Sequence, residues 1–335
     1  MKALKAFGPQ DLRIVEVPDP EVEDKEVLIK IKSSGICGSD KWIWEVESAI
    51  DSIAGHEVAG EVIETGNKVK HLKIGDRVAV NNVVGCGVCK RCRSGEFVRC
   101  NNRSGDDVNG GFAELVTAPE INCMLLDKEI DYDTGALIFD NWGTPYAALN
   151  RAEVSEKDDV VIFGCGPIGL CAVALAQERG AYVIAVDPES YRRKAAIKAG
   201  ATKTIDPREQ NVPEIVKELT DNKGTDVVID CSGNGKAYED GLASLEVEGT
   251  FVSVGEEASY QLKPSERLIR NNLNILGSWY TTMKQGKEVK QLIKEERIDP
   301  TDFVTDRVTL NQVPDIFEDI YNCKEGILKV LINFE

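Results

Sequence analysis

The chain has 335 residues, 42% hydrophobic and 29% charged, which is typical of a folded protein of about two domains. Its 40 Lys and Arg against 57 Asp and Glu give a net charge of −17, which argues against binding to nucleic acid or to an anionic membrane. No signal peptide or membrane-spanning run is visible, so the ten cysteines predict a reducing, cytoplasmic location.

The first 140 or so residues are predicted to be rich in β-strands. Segments 26–32, 59–64 and 75–80 alternate apolar and polar side chains, as strands with one solvent-facing side do. Gly and Asn residues stand between them, where turns are expected. This region therefore predicts a β-rich domain with a half-buried sheet.

Two short motifs in this region carry residues that bind zinc. Cys37 lies in C-G-S-D, and His56 and Glu57 lie in G-H-E. Three protein ligands with one open position make a catalytic zinc site. The chain has only 2 histidines, and His71 has the setting of a surface residue beside a lysine. We therefore expect His56, with Cys37, to belong to a reactive metal site and not to the core.

Four cysteines follow in one loop with the spacing C-x-x-C-x-x-C-x7-C. They are Cys86, Cys89, Cys92 and Cys100. Four thiolates that meet at one point suit a tetrahedral zinc ion and leave no position open for substrate. The alternatives are an iron–sulfur cluster, which also uses four thiolates, and free or disulfide-bonded cysteines. The spacing favours a structural zinc ion.

The pattern changes near residue 143 to strands that alternate with helices. A helix is predicted at about 167–179, and strands at 159–163, 182–186, 227–230, 250–254 and 273–276. Strand–helix–strand alternation predicts a parallel, doubly wound sheet. The last fifty or so residues are of mixed character and close on a strand-like segment at 327–332.

The first of these strands leads into a dinucleotide-binding fingerprint. Gly164, Gly166 and Gly169 form G-x-G-x-x-G between a strand and a helix. These glycines allow a tight turn, the approach of a pyrophosphate and close helix–strand packing. Asp187 ends the next strand, where a carboxylate would bind the ribose hydroxyls and repel a 2′-phosphate. NAD is therefore favoured over NADP, although Arg192 could accommodate that phosphate.

Taken together, these motifs resemble the zinc-dependent medium-chain dehydrogenases, the superfamily of alcohol, sorbitol and threonine dehydrogenases. The resemblance covers nearly the whole chain and includes the G-D-R-V turn and the segment G-G-F-A-E at 110–114. It implies an α/β fold in which a Rossmann doubly wound parallel sheet is inserted in a β-rich, GroES-like catalytic domain. The implied limits are 1–142 with the zinc lobe 86–100, then 143–280 for NAD, and 281–335 as the return to the catalytic domain.

The resemblance also implies roles for the site residues. Catalytic zinc would be held by Cys37, His56 and Asp140, with Glu57 as an alternate ligand or a supporting carboxylate. Asp140 could instead be a helix cap. Ser39 would pass the substrate proton outward. The two zinc ions per chain would be one catalytic and one structural.

The implied cofactor contacts extend beyond the fingerprint. Ile168 would lie at the nicotinamide side, Val254 and Gly255 at the nicotinamide ribose, and Ser278 and Trp279 would present backbone to the carboxamide. The full set of implied NAD contacts is Gly164, Gly166, Pro167, Ile168, Gly169, Asp187, Arg192, Val254, Gly255, Ser278 and Trp279. The resemblance also implies a homodimer or homotetramer in which the strand near 273–278 extends a sheet across subunits.

The function expected from this resemblance is zinc- and NAD-dependent oxidation of a secondary alcohol, on a polyol or sugar-like molecule. Threonine and simple alcohols are alternative substrates. A zinc-free quinone reductase and a non-catalytic NAD-binding sensor or structural subunit are alternative classes, against which Cys37 and His56 argue. Trp42 stands where many relatives have His. Together with Trp44 and Trp142 it could form a wall for a sugar ring or pack in the core.

Overall fold

The structure, a computed structural model, describes residues 1–103, 105, 107–256 and 259–335. The described residues form two units, of which the first is Met1–Asn141 with Thr281–Glu335 and the second is Trp142–Tyr280. The chain therefore leaves the first unit, builds the second without interruption, and then returns to the first.

Strands dominate the first unit, whereas strands and helices alternate in the second. The strands are β1 (Lys2–Gly8), β2 (Asp11–Glu16), β3 (Glu26–Ile36), β4 (Glu57–Thr65), β5 (Arg77–Val80), β6 (Leu115–Pro119), β7 (Cys123–Leu125), β8 (Asp159–Phe163), β9 (Tyr182–Val186), β10 (Lys203–Ile205), β11 (Thr225–Asp230), β12 (Leu245–Ser253), β13 (Asn274–Gly277), β14 (Val304–Val308) and β15 (Lys329–Asn333).

The helices are mostly short. The α-helices are α1 (Trp42–Glu45), α2 (Lys90–Arg93), α3 (Tyr132–Leu137), α4 (Gly143–Arg151), α5 (Pro167–Glu178), α6 (Ser190–Lys198), α7 (Val212–Leu219), α8 (Gly235–Ser244), α9 (Met283–Lys294) and α10 (Val313–Tyr321). The 3-10 turns are Gly38–Lys41, Phe97–Arg99, Glu120–Asn122 and Leu310–Gln312, and the π-helical segments are Ile138–Trp142 and Pro264–Ile269. Within the described part of the chain, no helix combines the length and apolar character that crossing a bilayer requires.

A seven-stranded sheet forms the framework of the first unit. Its order is β14-β15-β3-β4-β5-β7, with β6 paired to β3. β3 is central because its 11 residues are long enough to pair with β15, β4 and β6. Alternate side chains of these strands enter a buried core that includes Val27, Ile29, Val58 and Val78. The carboxyl end of β3 therefore lies between β15 and β4, paired on both sides.

Six parallel strands form the sheet of the second unit. Their order is β10-β9-β8-β11-β12-β13, which corresponds to the 3-2-1-4-5-6 order of dinucleotide-binding sheets. Val161, Ile184, Val228 and Phe251 are among the side chains buried in its core. The strand order reverses between β8 and β11, and ligands of such sheets bind at the carboxyl ends of the strands at this point. The predicted fold class, a parallel α/β unit inserted in a β-rich one, is confirmed.

Candidate metal and dinucleotide sites

The four cysteines of the loop 86–100 converge on one point. The Sγ atoms of Cys89 and Cys92 are 3.5 Å apart, and both Cys86–Cys92 and Cys89–Cys100 are separated by 3.9 Å. Four sulfurs at about 2.3 Å from one tetrahedral zinc ion would be about 3.8 Å apart. All four Sγ atoms lie within 4.8 Å of one another, which fits one ion and is too narrow for a multi-iron cluster. The four are free thiols and not disulfides, so the donor set and the spacing fit zinc.

Main-chain N–H groups prepare this lobe for a cation. Cys86 donates its N–H to Cys100 Sγ at 3.4 Å, and Cys92 donates to Cys89 Sγ at 3.5 Å. Hydrogen bonds from the N–H groups of Val88 and Cys89 lower the pKa of the Cys86 thiol to about 6. Burial raises the pKa of Cys92 to about 12. Main-chain N–H donors thus favour the thiolate form at Cys86, and a bound metal ion would complete the ionisation of the remaining thiols.

A second cluster gathers Cys37, His56, Glu57 and Asp140. Asp140 Oδ2 lies 3.2 Å from Cys37 Sγ and 3.2 Å from His56 Nε2. Sulfur, nitrogen and oxygen ligands of one tetrahedral zinc ion would be about 3.3–3.5 Å apart. One potential ligand atom from each of the four residues lies within 4.8 Å of the others. These atoms therefore fit a zinc site with Cys37, His56 and Asp140 as its three protein ligands, and Glu57 lies at the edge of that site.

Three separate elements supply these ligands. Cys37 follows β3 and His56 precedes β4, and antiparallel pairing, with Gly35 opposite Glu57, brings the two strand ends together. Asp140 comes from the π-helical segment Ile138–Trp142, a distortion that is frequent at functional sites. Because this segment continues directly from α3, Asp140 lies inside a helical run, where it does not cap a helix start.

The Asp40 carboxylate orients two of these ligands, a role that the sequence analysis missed. Its Oδ2 accepts the N–H of Cys37 at 2.8 Å, and its Oδ1 lies 3.3 Å from His56 Nδ1. A carboxylate on Nδ1 orients the imidazole and leaves Nε2 for a metal. Asp40 is only 2% exposed, so water does not compete for these contacts. The signal was present, since C-G-S-D places this aspartate three residues after the cysteine.

Lys329 is a second residue at this cluster that the sequence analysis missed. Its Nζ lies 2.6 Å from Glu57 Oε1 and donates to the carbonyl oxygen of Ile36 at 3.0 Å. The Lys329 and Glu57 side chains are 2% and 0% exposed. The available signal was a single lysine within the apolar, strand-like segment 327–332.

Burial and hydrogen bonds together set the pKa values in this cluster. Burial, and then the neighbouring Asp140 carboxylate, raises the pKa of the Cys37 thiol. Burial also raises the pKa of Glu57 to about 7, although Lys329 acts to lower it. Burial acts to lower the pKa of His56, but hydrogen bonds led by the one to Asp140 raise it well above its ordinary value. Because several acidic groups are buried together, a divalent cation would stabilise their ionised forms.

Ser39 and Trp42, which follow Cys37 closely in sequence, are exposed to solvent. Trp44 and Trp142 are buried. Ser39 is exposed in the turn Gly38–Lys41, and Trp42 begins α1 with 45% of its surface exposed. Trp44 and Trp142 are 7% and 1% exposed and pack in cores. Of the two alternatives left open for the tryptophans, core packing therefore applies to Trp44 and Trp142, and the substrate wall stays a hypothesis for Trp42 alone.

The glycine-rich turn has the geometry that its sequence predicts. Gly164 has a positive φ of 85°, a conformation that favours glycine. Gly166 is the N-cap of α5, and Pro167 and Ile168 form the first turn of that helix. A Cβ on Gly169 would lie 1.7 Å from the carbonyl oxygen of Gly164. The helix thus begins directly against the turn. The N–H groups of its first turn, which have no partner within the helix, are suited to bind a phosphate.

Asp187 joins the end of β9 to that turn. Its Oδ2 accepts the N–H of Cys165 at 2.7 Å, and its Oδ1 accepts the N–H of Glu189 at 2.7 Å. Asp187 is 2% exposed, and Arg192 Nη1 lies 4.0 Å from its Oδ2. The carboxylate therefore belongs to the glycine turn, and a helix-capping role alone does not describe it.

The remaining cofactor candidates follow the carboxyl ends of β12 and β13. The N–H groups of Val254 and Gly255 both donate to the carbonyl oxygen of Asp230 at 2.9 Å. Ser278 is buried, whereas Trp279 is 48% exposed. The structure thus places all eleven predicted NAD-contact residues in the second unit, on segments that follow β8, β9, β12 and β13.

Comparison with known families adds two matches. The model of the alcohol dehydrogenase GroES-like domain matches residues 23–128, and the model of the zinc-binding dehydrogenase domain matches residues 167–295. The first match contains Cys37, His56 and the four-cysteine lobe. The second begins at Pro167, in the glycine turn, and contains Asp187.

Relatives of known activity match over the full length of the chain. It is 32% identical to sorbitol dehydrogenase of Bacillus subtilis, over 99% of this chain and 97% of that protein. It is also 32% identical to L-threonine 3-dehydrogenase of Shewanella frigidimarina, over 100% of both chains. Among solved structures, galactitol-1-phosphate dehydrogenase of Escherichia coli superposes with a TM-score of 0.89 at 25% identity, over 100% of both chains.

These matches, together with the fold and the two cysteine-containing clusters described above, define the class of protein. The chain belongs to the zinc-dependent medium-chain dehydrogenase superfamily. Within it, the chain is a zinc-dependent dehydrogenase of the alcohol and polyol type, with two candidate zinc sites. The predicted family and enzyme class are confirmed.

Proposed function

We propose that the protein oxidises a secondary alcohol group of a polyol or sugar-like molecule, with NAD as the oxidant. The observation that carries this proposal is the meeting of Cys37 Sγ, His56 Nε2 and Asp140 Oδ2 at one partly buried point. Zinc held by these three residues would supply a Lewis acid that polarises the alcohol oxygen. NAD would supply the hydride acceptor.

The residues of the chain account for the proton and for the geometry of the site. Asp40 keeps the His56 ring oriented, so that Nε2 faces the cluster. The alcohol carbon gives up its hydrogen as hydride to NAD, and the hydroxyl gives up its proton. Ser39 is exposed two residues after Cys37, so its hydroxyl is suited to pass this proton to water. The products are a ketone, NADH and one proton.

The carboxylates of the site favour a polyhydroxylated substrate. Asp140 and Glu57 can accept hydrogen bonds from hydroxyl groups next to the reacting one. Trp42 is half-exposed just beyond Asp40 and offers a face for a sugar ring. The relatives named for sorbitol and galactitol-1-phosphate agree with this choice. The relative named for L-threonine keeps that amino acid as the alternative, and simple alcohols are a third possibility.

NAD is proposed as the cofactor in preference to NADP. Both oxygens of Asp187 are engaged by main-chain N–H groups, which fix the carboxylate at the end of β9. A carboxylate at this point binds ribose hydroxyls and repels a 2′-phosphate. Arg192, 4.0 Å from Asp187, is the residue that would serve NADP instead.

We also propose that the protein forms a homodimer or homotetramer in the cytoplasm. β13 is an edge strand of the six-stranded sheet, and its Ile275 is 40% exposed, which suits extension across a homodimer or homotetramer. The ten cysteines are all free, which suits a reducing cytoplasm.

A screen of NAD and NADP reduction over polyols, sugars, sugar phosphates, threonine and simple alcohols tests the proposal. We expect zinc-dependent reduction of NAD with a polyol or sugar, and loss of turnover in the variant Cys37→Ser. The variant Cys323→Ser, at an exposed cysteine, is the control. Tight binding of NADH without turnover of any alcohol would instead support the non-catalytic sensor.

A further inference from the structure

Lys329 contacts the metal cluster, but the proposed function gives it no role. Its ammonium lies 2.6 Å from Glu57 Oε1, and both side chains are buried. Taking an ion pair out of water is unfavourable, so a buried pair is weak evidence for stability by itself. A different reason for retaining it is therefore needed.

Three neighbouring strands build this contact. Lys329 is on β15 and Glu57 is on β4, and these strands flank β3 in the sheet. The Glu57 carboxylate reaches Lys329 across β3 at Gly35, which is paired with Glu57. A Cβ on residue 35 would lie 1.9 Å from Glu57 Oε2. The contact thus depends on a glycine in the strand between the two charges.

The two oxygens of Glu57 have different surroundings. Oε1 binds Lys329, whereas Oε2 is buried and has no hydrogen-bond partner among the residues that the structure describes. The same carboxylate lies within 4.8 Å of the ligand atoms of Cys37, His56 and Asp140. A buried oxygen without a partner beside a metal cluster is suited to bind an ion or a polar ligand at that point.

We propose that Lys329 is a positioning residue that holds Glu57 beside the catalytic metal as a reserve ligand and keeps it from becoming a permanent fourth one. The inference rests on the proposed function, because it takes one metal position to be open for substrate. Cys37, Glu57, Asp140 and the buried Asp40 can supply four negative charges, against three positive charges from a divalent ion and Lys329, so the ammonium offsets the charge that Glu57 adds. If the ammonium is removed, Oε1 loses its contact with Lys329, and the metal ion can attract the Glu57 carboxylate. The carboxylate then binds the metal at the position that the substrate would occupy.

Cobalt substitution tests this role directly. The protein is loaded with Co2+, whose visible absorption depends on the number and type of its ligands. The variants are Lys329→Met, Lys329→Arg, Glu57→Gln and the double variant Lys329→Met with Glu57→Gln. Lys290→Met is a matched control, because Lys290 also contacts one backbone carbonyl, of Leu125, and one carboxylate, of Asp127. The four-thiolate site reports folding in the same spectrum.

We expect Lys329→Met to change the absorption of the catalytic site and to raise KM for the alcohol by about ten- to hundredfold. Lys329→Arg, Glu57→Gln, the double variant and Lys290→Met should keep the wild-type catalytic-site spectrum. An unchanged spectrum in folded Lys329→Met would overturn the proposal, as would a changed spectrum that persists in the double variant. If Lys329→Met does not fold, a changed spectrum in Glu57→Gln alone overturns it, since Glu57 would then already bind the metal.

These outcomes are separable from failure of the proposed function. A wild-type protein that binds metal only at the four-cysteine lobe, or that reduces no NAD, contradicts the proposed function. If the wild-type protein binds metal at both sites and reduces NAD, but the spectrum of Lys329→Met is unchanged, only the role of Lys329 is contradicted.

Discussion

At the residue scale, Asp40 links the backbone of one proposed ligand to the side chain of another. Its carboxylate accepts the N–H of Cys37 and faces His56 Nδ1. Mutation of residues in such a position typically lowers metal affinity or activity by about ten- to hundredfold. Asp40 therefore fixes the orientation of His56 and the backbone position of Cys37 at the proposed metal site.

The variant Asp40→Asn tests this role. The amide removes the charge that orients His56, so we expect catalytic-metal affinity or kcat/KM to fall by about ten- to hundredfold. Zinc content after dialysis against a graded series of chelator concentrations measures the affinity. Asp51→Asn, at an exposed aspartate paired with Lys5, is the control. Wild-type zinc retention and turnover in Asp40→Asn would show that Asp40 has no such role.

The variant Gly169→Ala tests the glycine turn. The added Cβ would lie 1.7 Å from the carbonyl oxygen of Gly164, so α5 or the turn has to move. Overpacking of this kind costs about 1–3 kcal/mol, and we expect loss of NADH binding with both zinc ions retained. Fluorescence titration with NADH measures the binding. Ala174→Ser, half-buried in the same helix, is the control, and unchanged NADH affinity in Gly169→Ala would contradict the assignment.

Sequence was a good guide to residues whose chemistry depends on local spacing. Cys37 and His56 were proposed from residue types in two short motifs and the four-cysteine lobe from its spacing, and the structure brings each set together. Asp40 was missed although it stands in C-G-S-D, whereas the role of Lys329 depends on contacts that the sequence does not display. Lys329 becomes relevant only because β15 lies beside β3, on the side opposite to β4. The sequence left open whether Trp44 and Trp142 form a substrate wall or pack in the core, because an aromatic residue type does not reveal which face is buried.

At the element scale, the four-cysteine lobe contains little regular structure of its own. It holds α2, of 4 residues, and a 3-10 turn of 3 residues. Such short elements have little intrinsic stability, so the proposed zinc ion would hold them.

The variant Cys92→Ser should release one zinc ion per chain and open the lobe. Lys90, Arg91 and Arg93 then become sites for trypsin in α2. Metal analysis and limited trypsin digestion, with Cys323→Ser as control, measure both effects. If Cys92→Ser keeps two zinc ions and resists trypsin as the wild type does, the lobe is not a zinc site.

Glu120 joins the turn Glu120–Asn122 to the segment 70–72. It accepts the N–H groups of Lys70 at 2.8 Å and Leu72 at 3.0 Å, and also that of His71. Burial acts to raise the pKa of Glu120, but the N–H donors, led by His71, lower it below its ordinary value of 4.5. The resulting stabilisation is present above pH 4.5 and is lost as the pH falls through the lowered pKa.

We therefore expect Glu120→Gln to reduce the free energy of unfolding at pH 7 by about 0.5–1 kcal/mol, allowing for solvent screening. The difference from wild type should shrink as the pH falls below 4.5, because wild-type Glu120 then also becomes neutral. Urea unfolding across this range measures it, with the exposed Glu129→Gln as control. A deficit that is constant with pH would mean that the charge of Glu120 contributes nothing.

At the scale of the whole molecule, the fold class followed from alternation patterns that are long and regular. The strand–helix alternation after residue 143 predicted the parallel sheet, and β8 and β9 have the predicted bounds. Short elements such as α1 and the π-helical segment with Asp140 were not predicted. Elements of 4 or 5 residues have too few positions for a periodic pattern, and they depend on tertiary contacts.

The central claim concerns the whole molecule: oxidation of the alcohol requires metal at the Cys37, His56 and Asp140 site, in addition to NAD. Selective removal of that ion by a chelator, with zinc retained at the four-cysteine lobe, tests it most directly. We predict that turnover falls in proportion to the ion removed and returns when one equivalent of zinc is restored, while NADH binding persists. Full turnover by a protein with zinc only at the four-cysteine lobe would contradict the account.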